Sequence, residues 1–374
     1  ESEPRHILPA PPPPPYIEED ITVNFQRKGG QPGEDSKVVE SRTIERPPSY
    51  EEWQNVIWKH LIHIYNDMLQ CNVEHFRVML MEDLEWTTNK KRAIFNTLHR
   101  MGVPGVLPLP GPALAAYIVP QKSSLVIDIG WCASRAIVVY ERNPVFRSYQ
   151  CSPFGLERVV ERFREILLDE DHPDVTSTVT PGKGPRLVPP KAAKEIIEDI
   201  PQETLARLCI PLLLAPDIKE PLPKDESPRK LRISVSNEQM RATFSIGVSP
   251  AARREAINAL FLGADLPGDG PSLPEAAARA VMACDSAVRA NAGRSGAVIF
   301  SGGGSEIPGL PARIVSEVRG VFSRDSKLAA IGSRLCLEGT DLRSPYSIRG
   351  WMGASALGAS GIFDDVSEPL YDQW

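Results

Sequence analysis

Cysteine is sparse and unpaired in this sequence. Cys71, Cys132, Cys151, Cys209, Cys284 and Cys336 are scattered, with no CxxC and no His/Cys cluster at metal-ligand spacing. That excludes a zinc ribbon or a dithiol redox motif, and a reduced, intracellular compartment is the expectation. The six histidines supply no nucleophilic triad. His60 and His63 share one helical stretch with Trp58 and Tyr65, where aromatic packing is the plainer reading. No apolar run reaches the roughly 20 residues that span a bilayer. The first residues lack the basic, apolar and small-residue pattern of a signal peptide, so a soluble protein with no membrane partner is expected. Basic runs are missing too: 42 Lys and Arg face 48 Asp and Glu, for a formal charge of -6. No stripe can track a phosphate backbone, and direct contact with nucleic acid is not expected. There is no Walker motif, since no Gly-Lys-Ser/Thr occurs in a glycine-rich loop, and no GxGxxG with an acidic residue at the next strand end.

What the chain has in quantity is proline, 36 residues in clusters that mark its breaks. Residues 9–15 are expected to be extended polyproline II, because each ring fixes φ and removes a donor. Residues 27–35 read as a polar loop, residues 37–44 as a short strand, and residues 216–230 as a second proline and charge cluster. With 374 residues the chain exceeds one ordinary core, so two domains or one bilobed body is expected. Ser49-Tyr50-Glu51-Glu52 predicts a capping arrangement and a helix with Trp53, Val56, Ile57, Leu61 and Tyr65 at helical spacing. Residues 76–81 predict a buried strand and residues 90–101 an amphipathic helix. Then come strands over 124–129, 136–140 and 145–149, a helix over 157–168, and a loop over 169–190. Helical periodicity returns over 191–209, broken at Pro201. A strand pair over 231–235 and 241–246 is followed by helices over 253–262 and 274–291. Last come a strand over 296–300, a glycine turn and a helix from Leu310 to Val321.

Two turns carry candidate chemistry. The strand Leu125-Val126-Ile127-Asp128-Ile129-Gly130 places a carboxylate at a strand end, where Asp128 could order a hydrated Mg²⁺ beside phosphate. Gly130 would let backbone N–H groups approach phosphate closely. A plain hairpin turn explains such a motif at least as well. The run Gly302-Gly303-Gly304 between a strand and a helix permits close approach of a ligand to a helix N-terminus. A purely structural turn is its equal alternative.

Taken together these segments resemble actin and the actin-related proteins, part of the larger superfamily of sugar kinases and heat-shock chaperone ATPases. Val139-Tyr140-Glu141 is similar to the family's Ile-Tyr-Glu, and Ile299 to Gly303 with Pro308-Gly309 and Arg313 to its adenosine segment. Met282-Ala283-Cys284-Asp285, Ile57-Trp58-Lys59-His60, and Trp351 to Ser355 followed by Phe363, Tyr371 and Asp372 extend the resemblance across nearly the whole chain. It implies an α/β, actin-like bilobed ATPase fold of two ribonuclease-H-like domains. Residues 1–126 would form an incomplete N-terminal lobe and residues 127–345 the C-terminal lobe, with residues 346–374 returning to the first subdomain. Glu3-Pro4-Arg5 is similar to the stretch after the first phosphate-loop hairpin, so that hairpin is expected to be missing. The resemblance also implies nucleotide binding at Asp128, Gly130, Gly302, Gly303 and Gly304, with Mg²⁺ reached from Asp128 through water. Trp131, Cys132, Ala133, Ser134 and Arg135 stand at the family's Asp-Gly-Val-Thr-His, and Gly111 where its catalytic glutamine is expected. Hydrolysis needs an in-line water and groups that organise Mg²⁺. The implied protein therefore holds ATP or ADP and hydrolyses it poorly or not at all.

Residues 27–35 are glycine-rich and charged where polymer-forming members keep an apolar loop, which implies that this chain does not polymerise. The nearest resemblance is to the pointed-end actin-related subunit of dynactin, the dynein activator. It implies a cytoplasmic, cytoskeletal hetero-oligomer whose partners are actin-like filament subunits and other pointed-end subunits. Tyr117, Glu141, Val145, Leu357 and Phe363 would surround the cleft that receives the preceding filament subunit; core or edge packing is the alternative for all five. A second reading is a nuclear actin-related subunit of a chromatin-remodelling complex. A third, an active ATPase or sugar kinase, is opposed by Trp131 and Arg135.

Overall fold

Central to the arrangement is a strand that is apolar almost without interruption, Ser124–Ile129, whose residues are buried on both faces except for Asp128. Such a run of Leu, Val and Ile suits the middle of a sheet covered on both sides. The computed structural model describes residues 22–23, 48–169, 174–178, 186–213, 215, 229–237, 240–261, 270–339, 342 and 344–361. The proline tract, the loop over 27–35, the strand expected over 37–44, most of the second proline cluster, Phe363, Tyr371 and Asp372 lie outside these residues. The chain divides into two compact units. One comprises Glu1–Pro32, Leu167–Ile200 and Ser227–Ser249, the other Gly33–Ile166, Pro201–Glu226 and Pro250–Trp374.

In the larger unit the labelled strands are β1 (Val78–Glu82), β2 (Val106–Pro110), β3 (Ser124–Ile129), β4 (Ser134–Tyr140), β5 (Gln150–Ser152), β6 (Ala297–Ser301) and β7 (Cys336–Leu337). The main sheet runs β7-β6-β3-β4, with the short strand Asn143–Pro144 and β5 both paired to β4. β6 lies parallel to β3, whereas β4 and β5 run antiparallel to their neighbours. Val126, Ile137, Val139 and Ile299 on one face pack against Ala113, Ala115, Ala116 and Val119 of the helical turns that follow β2. Strand alternation gives the other face Leu125, Ile127, Val138, Val298 and Phe300, all buried. Helices α3 (Leu273–Met282) and α4 (Ser286–Ser295) pack on β4.

A second core gathers Val73, Ile94, Phe95, Leu98, Val103 and Val106 with Ile57, Leu61 and Tyr65. It lies between α1 (Tyr50–Ile62), α2 (Thr88–Arg100) and the parallel pair β1 and β2. The helix start at Ser49 forms as its sequence predicts: Glu52 N donates to Ser49 Oγ at 3.3 Å and Ser49 N to Glu52 Oε2 at 2.7 Å. Both orphan donors are thereby satisfied. Past Ile62 the helix loosens into a π-helical turn, His63–Leu69.

Several sequence expectations are corrected. Residues 145–149 form a 3₁₀ turn, Phe146–Ser148, and not a strand. Ser148 Oγ donates to the Val145 carbonyl at 2.7 Å and accepts from Val138 N at 2.8 Å, so a side chain takes the bond a ladder would have made. The long helix expected over 274–291 is two, because Asp285 adopts an extended N-cap conformation that restarts α4. Between β6 and α5 (Leu310–Ser323) the glycine run opens a 3₁₀ turn, Gly303–Glu306, so it does not enter a helix directly. The stretch expected to loop out over 169–190 contains the strands Asp174–Thr178 and Arg186–Leu187. Its Val and Thr residues favour extended backbone despite flanking turn formers.

Those two strands belong to the smaller unit. Its sheet runs Thr22–Val23, Arg229–Asn237, Met240–Val248, Asp174–Thr178 and Arg186–Leu187. The expected strand pair is its antiparallel centre.

Helix α6 (Arg349–Ala359) returns across the turn Ala115–Ile118 of the larger unit. Arg349 at its start is fully buried, donating from Nη2 to the Gly339 carbonyl at 2.7 Å and stacking on the Tyr346 ring at 4.0 Å. Gly353 seats the helix, since a Cβ there would run into the Leu114 carbonyl. Gly353→Ala is therefore expected to cost about 2 kcal/mol or more in urea unfolding, as overpacking does. Gly320→Ala, in the exposed face of α5 with nothing within 4 Å of the added carbon, is expected to stabilise by about 0.5–1 kcal/mol.

Candidate functional site

Register brings the site together. Ser301 on β6 pairs with Asp128 on β3, Asp128 with Arg135 on β4, and Arg135 with Cys151 on β5, one row across four strands. Asp128 Oδ1 accepts a hydrogen bond from Ser301 Oγ at 2.6 Å. Its Oδ2 lies 3.6 Å from Arg135 Nη1. Beyond β1 the chain turns through Asp83 and Glu85, and both reach the same guanidinium. Arg135 Nη2 donates to Asp83 Oδ2 at 2.6 Å and to Glu85 Oε2 at 2.9 Å. Nη1 donates to the Ala133 carbonyl at 3.3 Å. Glu82, just before them, pairs with Lys91 of α2.

The electrostatics follow from burial and these neighbours. Burial pushes the Asp128 carboxyl above the usual carboxylate range, against the pull of Ser301 and Arg135. Burial works against the Arg135 charge as well. Asp83, Tyr149, Glu85 and Asp128 outweigh it, and the guanidinium is held above its ordinary value. Burial, then Glu85, pushes the Cys151 thiol up to about 12. That makes it a packed neutral neighbour and not a nucleophile.

A cavity of about 170 Å³ opens beside this row, lined by Asp83, Gly111, Asp128, Arg135, Ser301 and Gly302 together with Met81, Glu82, Pro112, Ser347 and Gly350. Of the residues the sequence proposed for nucleotide, Asp128 and Gly302 meet at this cavity, while Gly130, Gly303 and Gly304 do not line it. Each glycine has its own reason. Gly302 has φ +85, and a Cβ there would strike the Ile129 backbone; at Gly304 it would strike the Ile129 side chain. Gly130 leaves room for Arg135, since a Cβ would lie 2.8 Å from Nη1 and 2.9 Å from the Ala133 carbonyl. Three of the glycines thus answer to close protein packing. Only Gly303 has open space around it.

A hydrated Mg²⁺ does not fit these groups. Asp128 Oδ1 is engaged by Ser301, and the positive charge among Asp83, Glu85 and Asp128 is already the guanidinium of Arg135. Among the described residues no group of three or more His, Cys, Asp and Glu could hold a metal ion. Sequence reasoning had Arg135 as a departure from a motif and Ser301 within the glycine segment, but missed Asp83 and Glu85. The signal for both was the acidic cluster directly after an apolar strand, Glu82-Asp83-Leu84-Glu85.

Of the proposed partner contacts, Tyr117 donates from its hydroxyl to the Arg142 carbonyl at 2.7 Å. Glu141 and Arg142 both hold left-handed backbone, at φ +48 and +66, in the turn between β4 and Asn143–Pro144. Val145 follows, half-buried, and Leu357 is half-buried on α6. Phe363 lies outside the described residues.

The glycine contrast is directly measurable. Gly302→Ala and Gly304→Ala are each expected to destabilise by about 1–3 kcal/mol in urea unfolding. Gly303→Ala is expected to change stability by less than about 0.5 kcal/mol. A large loss at Gly303 with tolerance at Gly302 would contradict the packing account.

A family model described as Actin matches residues 49–181. Among solved structures the chain is similar to human actin-related protein Arp8 in its ATP-bound state, with a TM-score of 0.64 at 13% identity over 84% of this chain. The chain spans 62% of the length of that protein. At this identity the likeness speaks to fold, and the fold is actin-like, of the α/β class the motifs of the sequence imply.

Proposed function

We propose that this protein is a non-polymerising actin-related structural subunit that hydrolyses ATP poorly or not at all. The observation that carries the proposal is the occupied acidic cluster. Arg135 is held by Asp83 and Glu85 at 2.6 and 2.9 Å, where hydrolysis would require groups free to organise a cation and an in-line water. The Trp131–Arg135 segment and Gly111 replace residues that such chemistry uses. ATP or ADP, which the similar human protein carries in its ATP form, would act here as a fixed brace stabilising the fold by linkage. The lobe boundaries at 126/127 and 345/346 belong to the same proposal.

Within that class the reading is a cap or adaptor at the pointed end of dynactin's short actin-like filament, supporting dynein-driven transport in the cytoplasm. Its supporting feature is the turn at Glu141 and Arg142. Two non-glycine residues there hold the left-handed backbone that a two-residue hairpin turn requires, which fixes how their side chains are presented. Tyr117 braces that turn, and Val145 and the exposed Phe146 follow it, so an apolar and charged edge is presented together. The second reading, an actin-related subunit of a nuclear chromatin-remodelling complex, would use the same edge for a partner helix. The formal charge of -6 leaves it open, because contact with DNA would be made by other subunits.

Three measurements test the proposal. A single-turnover assay is expected to find no ATP hydrolysis above background; hydrolysis at actin's rate would end the non-enzymatic reading. In Mg-ATP and salt the purified protein is expected to stay in the supernatant on sedimentation, and a pelletable filament would end the cap reading. Affinity purification from cells is expected to recover dynactin and dynein subunits. Recovery of a remodelling ATPase would transfer the assignment to the second reading, and Glu141→Lys is expected to weaken either association at least tenfold.

A further inference from the structure

The neighbourhood of Arg135 has the composition of a cation site, except that the cation is part of the chain. Three carboxylates from two separate segments surround one guanidinium: Asp83 and Glu85, from the turn after β1, reach its Nη2, and Asp128, from the end of β3, lies 3.6 Å from its Nη1. The guanidinium is mostly shielded, with 14% of its side chain exposed, and Asp83, Glu85 and Asp128 are 28%, 38% and 18% exposed. Gathering carboxylates in a shielded site is unfavourable unless a positive charge neutralises them. Gly130 leaves the space that the guanidinium fills. The planar fork of arginine can satisfy two carboxylates from one nitrogen and face a third with the other, which a lysine ammonium at that depth would not match.

We infer that Arg135 is a resident cation: its guanidinium holds Asp83, Glu85 and Asp128 together in the place of a divalent ion, so that this unit is complete and closed without metal. The inference deepens the proposed non-enzymatic reading and rests on the same site, but it makes a separate claim, that folding and any nucleotide binding are indifferent to Mg²⁺. The raised proton affinity of Arg135 agrees with a charge that is compensated on several sides. Removing the guanidinium should leave three carboxylates around a vacated space with no charge to balance them. A divalent ion would then be the group that restores the balance.

The experiment is thermal unfolding of the full chain in EDTA, in Mg²⁺ and in Mn²⁺, with Mn²⁺ binding followed in parallel by electron paramagnetic resonance. The wild type is expected to unfold at one temperature in all three and to take up no Mn²⁺ at this site. Arg135→Ala is expected to unfold several degrees lower in EDTA, to recover several degrees in Mn²⁺, and to bind about one equivalent of it. Adding Asp128→Asn to Arg135→Ala should abolish that recovery. If Arg135→Ala does not fold in any of the three solutions, Arg135→Lys decides: a destabilised protein that stays indifferent to metal supports a resident cation, and one that responds to metal overturns it. Metal dependence of the wild-type unfolding temperature, or Mn²⁺ uptake by the wild type that Asp128→Asn removes, overturns the inference outright. Such an outcome combined with no ATP hydrolysis would leave the non-enzymatic reading standing. An Arg135→Ala protein that folds, is destabilised and ignores Mn²⁺ would also defeat the inference, since the arginine would then be a structural brace and nothing more.

Discussion

A guanidinium below the protein surface must be met by acceptors, and the way Arg135 meets that requirement with carboxylates organises the end of the main sheet. Its partners Asp83 and Glu85 come from the turn after β1, and Asp128 comes from the neighbouring strand β3. The contacts therefore tie the two-stranded sheet to the larger one at the point where the cavity opens. Breaking such a group by removing one member leaves uncompensated charge, which is why it constrains its surroundings more than an exposed ion pair does. Gly130, Ser301 and the positive φ of Gly302 are local accommodations to that arrangement and to the tight junction of β3 with β6.

The same unit shows how little room its helices have. The turns that follow β2 lie under one face of the main sheet and also receive α6, and this double duty explains their alanines, Ala113, Ala115 and Ala116. Larger side chains would hold the layers apart, and Gly353 completes the fit against Leu114. Arg349 is buried at the start of α6, bonded to carbonyls of Phe300 and Gly339. Helix α6 is thus held by backbone acceptors near the end of β6 and just after β7.

An actin-like fold is compatible with catalysis and with purely structural service, so function has to be argued from the site. Here charge decides. A site that recruits Mg²⁺ and phosphate needs carboxylates that are available and a vacancy between them. In this chain the carboxylates are engaged and the space holds a guanidinium. The turn at Glu141 and Arg142 has a different character: it is exposed, braced by the Tyr117 hydroxyl and held in left-handed backbone.

Much of the local structure was legible in the sequence because its causes are local. The capping box at Ser49, the apolar run of β3, the amphipathic spacing of α2 and the glycine turn after β6 depend on residues a few positions apart, and each forms where its pattern implies. Errors arose where a single side chain or register intervened: Ser148 replaces a strand by a turn, and Asp285 divides one helix into two. The candidate site was only half legible. Sequence alone could place Asp128 and the glycines at strand ends, and could mark Arg135 as foreign to the motif it interrupts. That Arg135 faces Asp83 and Glu85, some fifty positions earlier in the chain, was decided by strand pairing and by the packing of β1 beside the main sheet. Electrostatic partnership depends on distance in space and on exclusion of water, and neither quantity is written in sequence spacing.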